Sequence, residues 1–219
     1  MNPTKQILHL LQYQFKLESK SPHVLAANVL YVVTIIFIIY RIFNQISPPA
    51  WVAVFWIVFM FTTINVTIHS YSKEQGKSVL FFYSIMHPMS LYVSRTLFNF
   101  LVICMSSFVV YLFMTLFLEN PVIEQVMFLK TVLLSSLAVS IIFSFTSAIA
   151  VHTHMKHTMM TLLSLPLIIP VILVAVKLSL VAVGTIIDDG STTDFNILIG
   201  INLIMLGIGS FLFPYLWRS

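Results

Sequence analysis

Charged residues, cysteine and glycine are scarce in this sequence. Only 8% of the 219 residues are charged, whereas 59% are hydrophobic. Soluble domains carry about 25% charged residues. The composition therefore excludes a soluble domain and predicts an integral membrane protein. The one cysteine, Cys104, lies within an apolar run, which excludes an intrachain disulfide and a Cys-x-x-Cys motif.

The absence of glycine before Gly76 removes an apparent nucleotide site. Gly76-Lys77-Ser78 looks like the end of a Walker A loop, but that motif needs a glycine where this chain has Tyr71. Any ATP must therefore be bound by another chain. No Ser-His-Asp, paired-carboxylate or His-Glu-x-x-His arrangement is apparent, so we expect no enzyme activity.

Charges are placed at or near the ends of the apolar runs. This placement argues against an ion-coupled mechanism, which keeps charges deep in spans, and the dispersed basic residues argue against nucleic-acid binding. Lysine and arginine divide 8 to 3 between the two sides, so we expect both termini in the cytoplasm. The richer side holds Lys5, Lys16, Lys20, Lys73, Lys77, Arg95, Lys156 and Arg218, and the other side holds Arg41, Lys130 and Lys177.

The apolar runs predict six transmembrane helices in one membrane domain, residues 1–219, because a span needs about 20 apolar residues. The expected spans are Val24–Phe43, Trp51–His69, Val93–Leu118, Leu129–Val151, Thr158–Lys177 and Asn196–Trp217. Trp51 and Tyr71 are expected in the aromatic belts at the membrane surfaces. The fourth span is rich in serine and alanine, which favours close helix packing.

Three of the segments outside these spans have a pattern of their own. Residues 1–21 have the pattern of an amphipathic helix on the membrane surface. Residues 178–187 are apolar but too short to cross, which predicts a re-entrant or interfacial hairpin, and the acidic loop with Asp188, Asp189 and Asp194 completes a segment over residues 178–195. Residues 71–92 form the longest stretch that cannot sit in a bilayer.

We interpret residues 71–92 as a docking element between the second and third spans. On a 3.6-residue period, Val79, Phe82, Tyr83 and Met86 share one apolar and aromatic face, and Pro88 interrupts the helix. The same face would equally serve a helix lying on lipid.

The fifth span contains Pro166 and Pro170. Each proline removes a backbone donor and kinks the helix, which a membrane accepts only where neighbouring protein satisfies the freed carbonyls, so we expect this span inside the bundle. Asn65, Asn99 and Asn202 lie within spans, where interhelical hydrogen bonding is the simplest explanation.

One cluster resembles a metal site, the loop His152-Thr153-His154-Met155-Lys156-His157. Only His154 and His157 would share a helical face, and Lys156 would repel a cation. We therefore expect a solvated loop and no bound metal, with His152, His154 and His157 as the weak alternative.

The layout resembles the membrane subunit of type-2 ABC exporters, and within that group the haem exporter protein B family (CcmB) of cytochrome c maturation. The resemblance is carried by Gln75-Gly76, by Pro88 and Arg95, and most specifically by Leu-Pro-Leu-Ile-Ile-Pro at residues 165–170. Family members commonly have Asp before the glycine and Pro-Leu-Pro where this chain has only Pro88.

The resemblance implies a bacterial inner-membrane permease that couples a separate cytoplasmic ATPase to haem transport or to release of a haem-loaded chaperone. The implied partners are that ATPase, a second permease copy, haem-handling membrane subunits and lipid. ATP would act through the ATPase, with haem as a possible substrate. The ATPase-coupling residues would be Gln75, Gly76, Val79, Phe82, Tyr83, Met86 and Pro88, and the kink and gating residues Pro166 and Pro170.

Two other functions stay open from the sequence. One is a membrane scaffold that binds partners without transport, and the other is a haem- or metal-binding membrane protein that uses the loop at residues 152–157.

Overall fold

A computed structural model describes residues 3–19, 22–43, 45–73, 88–150, 155–187 and 190–216. Side chains at residues 3–5, 22–25, 70–73, 156–157 and 214–216 are not described. Within these ranges all regular secondary structure is α-helical, with no strand. The helices are α1 Pro3–Ser19, α2 Pro22–Ile42, α3 Pro48–Lys73, α4 Pro88–Leu118, α5 Gln125–Ala150, α6 Lys156–Ala182 and α7 Ser191–Leu216.

Prolines set several of the helix starts. Proline occupies the first position of α2, α3 and α4, where its missing amide hydrogen costs nothing and its fixed φ suits a helix. Pro88 was expected to interrupt the helical pattern that precedes it; α4 begins at this residue, and residues 74–87 lie outside the described ranges. The helix therefore begins five residues before the predicted Val93, and residues 88–92 belong to it.

Five helices are long and apolar enough to cross a membrane, which confirms the all-α integral membrane class. They cover Pro48–His69, Pro88–Leu118, Gln125–Ala150, Thr158–Ala182 and Ser191–Phe213. The first expected span is also helical, as α2, but its described apolar part, Ala26–Ile42, is shorter than these. Six spans therefore remain a prediction.

Helix α5 lies at the centre of the bundle. It packs against α4, α6 and α7, while α4 also contacts α1, α2 and α3. Three successive side chains of α5, those of Ile141, Ile142 and Phe143, are fully buried, as expected of a helix with neighbours on all sides. The remaining helices surround this α4–α5 pair.

Small polar residues allow α5 to pack closely, as its serine content predicted. Ser135, Ser136, Ser140 and Ser144 are fully buried. The Ser144 hydroxyl donates to the carbonyl of Ser140 at 2.8 Å and accepts from Asn99 Nδ2 of α4 at 3.1 Å. The Ser144 hydroxyl thus makes one hydrogen bond within α5 and one that joins α5 to α4.

The three asparagines within spans behave differently. Asn99 bonds across helices, and Asn202 Nδ2 donates across to the carbonyl of Leu134 at 3.3 Å and back to that of Leu198 at 2.9 Å. Both confirm the predicted packing role. Asn65 has no such role within the described part of this chain, because its side chain is exposed on the outer surface of α3.

An aromatic cluster of Trp51, Phe55, Tyr111 and Phe128 joins α3, α4 and α5. The Phe128 ring lies 5.7 Å from Trp51, 5.0 Å from Phe55 and 5.6 Å from Tyr111. Trp51 is fully buried here, so its predicted place in a surface belt is wrong. Its ring packs instead against the rings of Phe55, Tyr111 and Phe128.

The predicted hairpin at residues 178–187 also needs correction. Helix α6 continues to Ala182, with Leu178 and Ala182 fully buried, and only residues 183–187 turn. The first half of this short apolar run is therefore the end of the preceding helix and not a separate element. Gly184 ends the helix with φ +71° while its amide donates to the carbonyl of Val181 at 2.8 Å.

Helix α1 confirms the predicted N-terminal helix and packs against α4. Leu10 is buried with Leu91 and Tyr92, and the Phe15 ring meets Phe98 edge to face at 5.2 Å. That α1 also lies along the membrane surface remains a prediction.

A matched pair of glycines tests the contact between α4 and α7. A Cβ on Gly209 would lie 2.7 Å from Cζ of the buried Tyr92, whereas a Cβ on Gly207 would meet nothing within 4 Å. Alanine at either site gains helix propensity, so Gly207→Ala should be neutral or stabilising. We expect Gly209→Ala to be less stable than Gly207→Ala by about 1 to 3 kcal/mol, measured by unfolding in detergent. Equal stabilities would contradict this packing.

Candidate functional site

The predicted docking segment lies between two helices that end at the same face of the bundle. Helix α3 ends at Lys73 and α4 begins at Pro88, at the end of the bundle where α1 packs, here called the α1 end. Of the seven predicted coupling residues, the structure describes only Pro88. Gln75, Gly76, Val79, Phe82, Tyr83 and Met86 lie outside the described residues.

The first turns of α4 are held firmly at the α1 end. Leu91 and Tyr92 are buried against Leu10 of α1 and Phe213 of α7, and the Tyr92 and Phe213 rings lie 5.1 Å apart. At this end α4 is thus packed between α1 and α7. These contacts define what we call the buried base of α4.

Arg95 adds a buried charge to this base. Arg95 is 6% exposed and Glu18, near the end of α1, is 8% exposed, and each of these residues has an interaction partner. Buried charges in membrane helices are costly and are kept where they have partners and a role. The sequence placed Arg95 at a span end, and the structure places it about two turns into α4.

The two prolines of α6 lie on the exposed side of a continuous helix. Helix α6 runs unbroken from Lys156 to Ala182, and Pro166 and Pro170 are both exposed. The expectation that this span lies inside the bundle is therefore wrong for the face that carries the prolines. The prediction failed because the freed carbonyls were expected to find partners within the same chain.

The opposite face of α6 forms a regular buried seam. Its residues follow each other at alternating intervals of four and three, the spacing that keeps one side of a helix against a neighbour. They are Ser164, Ile168, Val171, Ala175, Leu178 and Ala182, all at most 1% exposed. The seam packs chiefly on α5.

Helix α6 is tied to α3 and to α7 by polar contacts. Trp56 Nε1 of α3 donates to Ser179 Oγ at 3.0 Å, and Ser179 Oγ donates to the carbonyl of Ala175 at 2.7 Å. Lys177 Nζ contacts the two carboxylate oxygens of Asp194 at 2.8 and 2.9 Å. Asp194 lies in the first turn of α7, where a carboxylate is favoured, and not in the predicted acidic loop.

These contacts were not anticipated from the sequence. Trp56 and Ser179 are 123 positions apart in the sequence, so no local pattern indicates that they meet. Their hydrogen bond can be recognised only in the folded structure. The Lys177–Asp194 pair had a weak signal, since a cation near one helix end preceded an acid near the next helix start.

The histidine cluster is only partly covered by the structure. His152 and His154 lie outside the described residues, and the side chain of His157 is not described. Among the described side chains, no group of three or more His, Cys, Asp or Glu is arranged to hold a metal ion. The weak metal alternative is therefore untested.

Comparison with known proteins assigns the chain to a family. The model of the CcmB protein family matches residues 5–218, nearly the whole chain. No curated protein and no solved structure gave a match. The chain thus belongs to the CcmB family and is a multi-pass membrane protein, the membrane component of a haem exporter in cytochrome c maturation.

Proposed function

We propose that this chain is the permease subunit of an ATP-driven exporter in the bacterial inner membrane, with both termini in the cytoplasm. A separate ABC ATPase would supply the nucleotide site and dock on the segment with Gln75, Gly76, Val79, Phe82, Tyr83 and Met86. The supporting observation is the family match over residues 5–218, combined with the buried base of α4 directly after that segment.

The proposed mechanism relies on the contacts between successive helices. Closure of two ATPase subunits would displace the docking segment and, through Pro88, helix α4. Helix α4 contacts α5, and α5 has its largest contact with α6, so the displacement would reach the far end of the bundle through packed helices. Pro166 and Pro170 are the proposed site where α6 bends during this movement.

The proposal names two copies of the chain, two ATPase subunits and haem-handling membrane subunits as the working assembly. Haem is the proposed substrate, either moved across the membrane or placed on a chaperone that the exporter releases. ATP acts only through the partner subunit.

Reconstitution tests this function. In liposomes that contain the chain and the ATPase of the same maturation system, we expect ATP hydrolysis several-fold above that of the ATPase with empty liposomes. The chain alone should hydrolyse nothing, because its sequence has no phosphate-binding loop. An ATPase variant without its Walker A lysine is the control.

Failure of the chain to stimulate an ATPase that it binds would contradict the exporter proposal. That result would favour the scaffold, which binds partners without coupling to ATP.

A further inference from the structure

Within the described part of the chain, four neighbouring hydroxyls of α3 and α5 are buried but have no hydrogen-bond partner. They belong to Thr62 and Thr63 of α3, each 1% exposed, and to Ser135 and Ser136 of α5, both fully buried. Such a group is costly in a membrane-spanning bundle, because the surrounding hydrocarbon offers no partner either.

Nearby buried hydroxyls on the same two helices have the usual partner, which is the backbone of their own helix. Thr67 of α3 and Thr131 of α5 each donate to the carbonyl four residues earlier, at 2.7 and 2.9 Å. Ser140 donates to the carbonyl three residues earlier, at 2.8 Å. The four hydroxyls without partners therefore point away from the backbone that could accept from them.

Helices α3 and α5 run in the same direction, because each of them is antiparallel to α4. Along both helices the residue numbers rise as the number of the contacted residue on α4 falls. The contacts are Trp51–Tyr111 and Val66–Phe98 between α3 and α4, and Phe128–Tyr111 and Ser144–Asn99 between α5 and α4.

The contact between Phe55 and Phe128 places Thr62 opposite Ser135. The two rings lie 5.0 Å apart. Thr62 follows Phe55 by seven residues, and Ser135 follows Phe128 by seven residues. Seven residues are close to two helical turns, so each hydroxyl residue faces nearly the same way as the phenylalanine before it. Because the helices are parallel, Thr62 and Ser135 lie at one depth.

The other two hydroxyls face other helices. Ser136 lies beside the thiol of Cys104 on α4. Thr63 follows Trp56 by seven residues, so it faces α6, as Trp56 does when it donates to a serine of that helix. The pair that faces the region between α3 and α5 is therefore Thr62 and Ser135.

The side chains between α3 and α5 become much smaller over these two turns. Phenylalanine rings of both helices meet in the aromatic cluster, whereas a threonine and a serine take the corresponding positions here. Among the described residues, α3 is in broad contact with α2, α4 and α6 but not with α5. Two short hydroxyl side chains on such a pair of helices are suited to bridging by a water molecule.

We infer that a water molecule is bound between α3 and α5, where it joins the hydroxyls of Thr62 and Ser135. Each hydroxyl has one hydrogen to donate and lone pairs to accept, so the water accepts from one residue and donates to the other. The site places a bound water in the membrane-spanning core. It is independent of the ATPase and of any second copy.

Solid-state NMR of the full chain in lipid bilayers tests the site directly, through proton magnetisation transferred from water. The transfer should reach the Cβ signals of Thr62 and Ser135 several-fold faster than those of Thr131 and Ser140. The latter pair is the control, because both residues are fully buried and bond to their own backbone. Equal rates for the two pairs would overturn the water site.

Removal of the hydroxyls gives a second test with an opposite sign for a dry site. Thr62→Val keeps the shape of the side chain and should raise the unfolding equilibrium constant in detergent about fivefold, since one hydrogen bond is lost. In a dry site the same change would remove an unpaired polar group and lower that constant, which would contradict the inference.

A double-mutant cycle shows whether the two hydroxyls share the water. Ser135→Ala should cost less in the Thr62→Val background than in the unmodified chain, because the shared water is already lost. Thr131→Val is the control and should cost the same in both backgrounds. Additive effects of Thr62→Val and Ser135→Ala would overturn the inference. So would coupling without magnetisation transfer from water, which would indicate a direct bond between the two hydroxyls.

Discussion

Replacing Phe82 and Tyr83 together with aspartate is expected to abolish co-purification of the ATPase with this chain. Both residues belong to the apolar and aromatic face that Val79, Phe82, Tyr83 and Met86 would share in a helix over residues 79–86. A helix that docks by its apolar face loses its buried anchors when two carboxylates must be desolvated. Membrane insertion should be unaffected, because neither residue belongs to a span. The measurement is the amount of ATPase retained on the tagged permease.

The control for this variant is Phe81→Asp with Ser84→Asp. It adds the same two charges, one of them again at a phenylalanine, but on the opposite side of the helical pattern. We expect it to retain the ATPase. Retention by both variants would contradict docking through this face and favour a helix that only lies on lipid.

Truncation of Phe128 to alanine should produce the largest loss of stability, about 3 to 5 kcal/mol. The ring is fully buried and touches aromatic neighbours on α3 and on α4, so its removal leaves a cavity between three helices. The free energy of unfolding in detergent, from denaturant titration, is the measurement. Stimulation of the ATPase should also fall, because α4 would lose the contact of Tyr111 with the Phe128 ring.

Phe108→Ala is the matched control, since it removes the same ring from an exposed position on α4. Phe108 is 60% exposed, and surface substitutions usually change stability by about 0.5 kcal/mol or less. If Phe108→Ala and Phe128→Ala destabilised the chain equally, the aromatic cluster would not be the stabilising contact inferred from its geometry.

The positions of most helices could be predicted from the lengths of the apolar runs and from the prolines between them. Apolar run length predicted where the long helices lie, and Pro48 and Pro88 mark starts that a proline naturally takes. The serine-rich pattern of α5 predicted close packing correctly, because small hydroxyl residues have few other uses inside a bundle.

What the sequence could not give was the direction in which individual side chains face. Trp51 was expected at a membrane surface and is buried, whereas Asn65 and Pro170 were expected inside and are exposed. Hydropathy averages over all sides of a helix, and in α3 and α6 every side is apolar, so periodicity does not distinguish lipid from protein neighbours. The boundary at Lys177 failed for a related reason, since a ten-residue apolar run extends a helix as readily as it forms a hairpin.

The candidate docking face remains a prediction from sequence, because Phe82 and Tyr83 lie outside the described residues. The structure contributes the helix that follows, with its first turns buried between α1 and α7. It also contributes the polar contacts that periodicity could not reveal, such as that between Trp56 and Ser179.

The unbroken length of α4 determines how far the proposed ATPase would have to displace Pro88 in order to tilt this helix. From Pro88 to Tyr111 in the aromatic cluster the helix measures about 35 Å, at 1.5 Å per residue. If the cluster acts as a fulcrum, a tilt of about 5° there corresponds to a shift of about 3 Å at Pro88 over that length. A displacement of Pro88 smaller than the roughly 5.4 Å rise of one helical turn would therefore tilt all of α4, and every residue of α4 would keep its helical conformation.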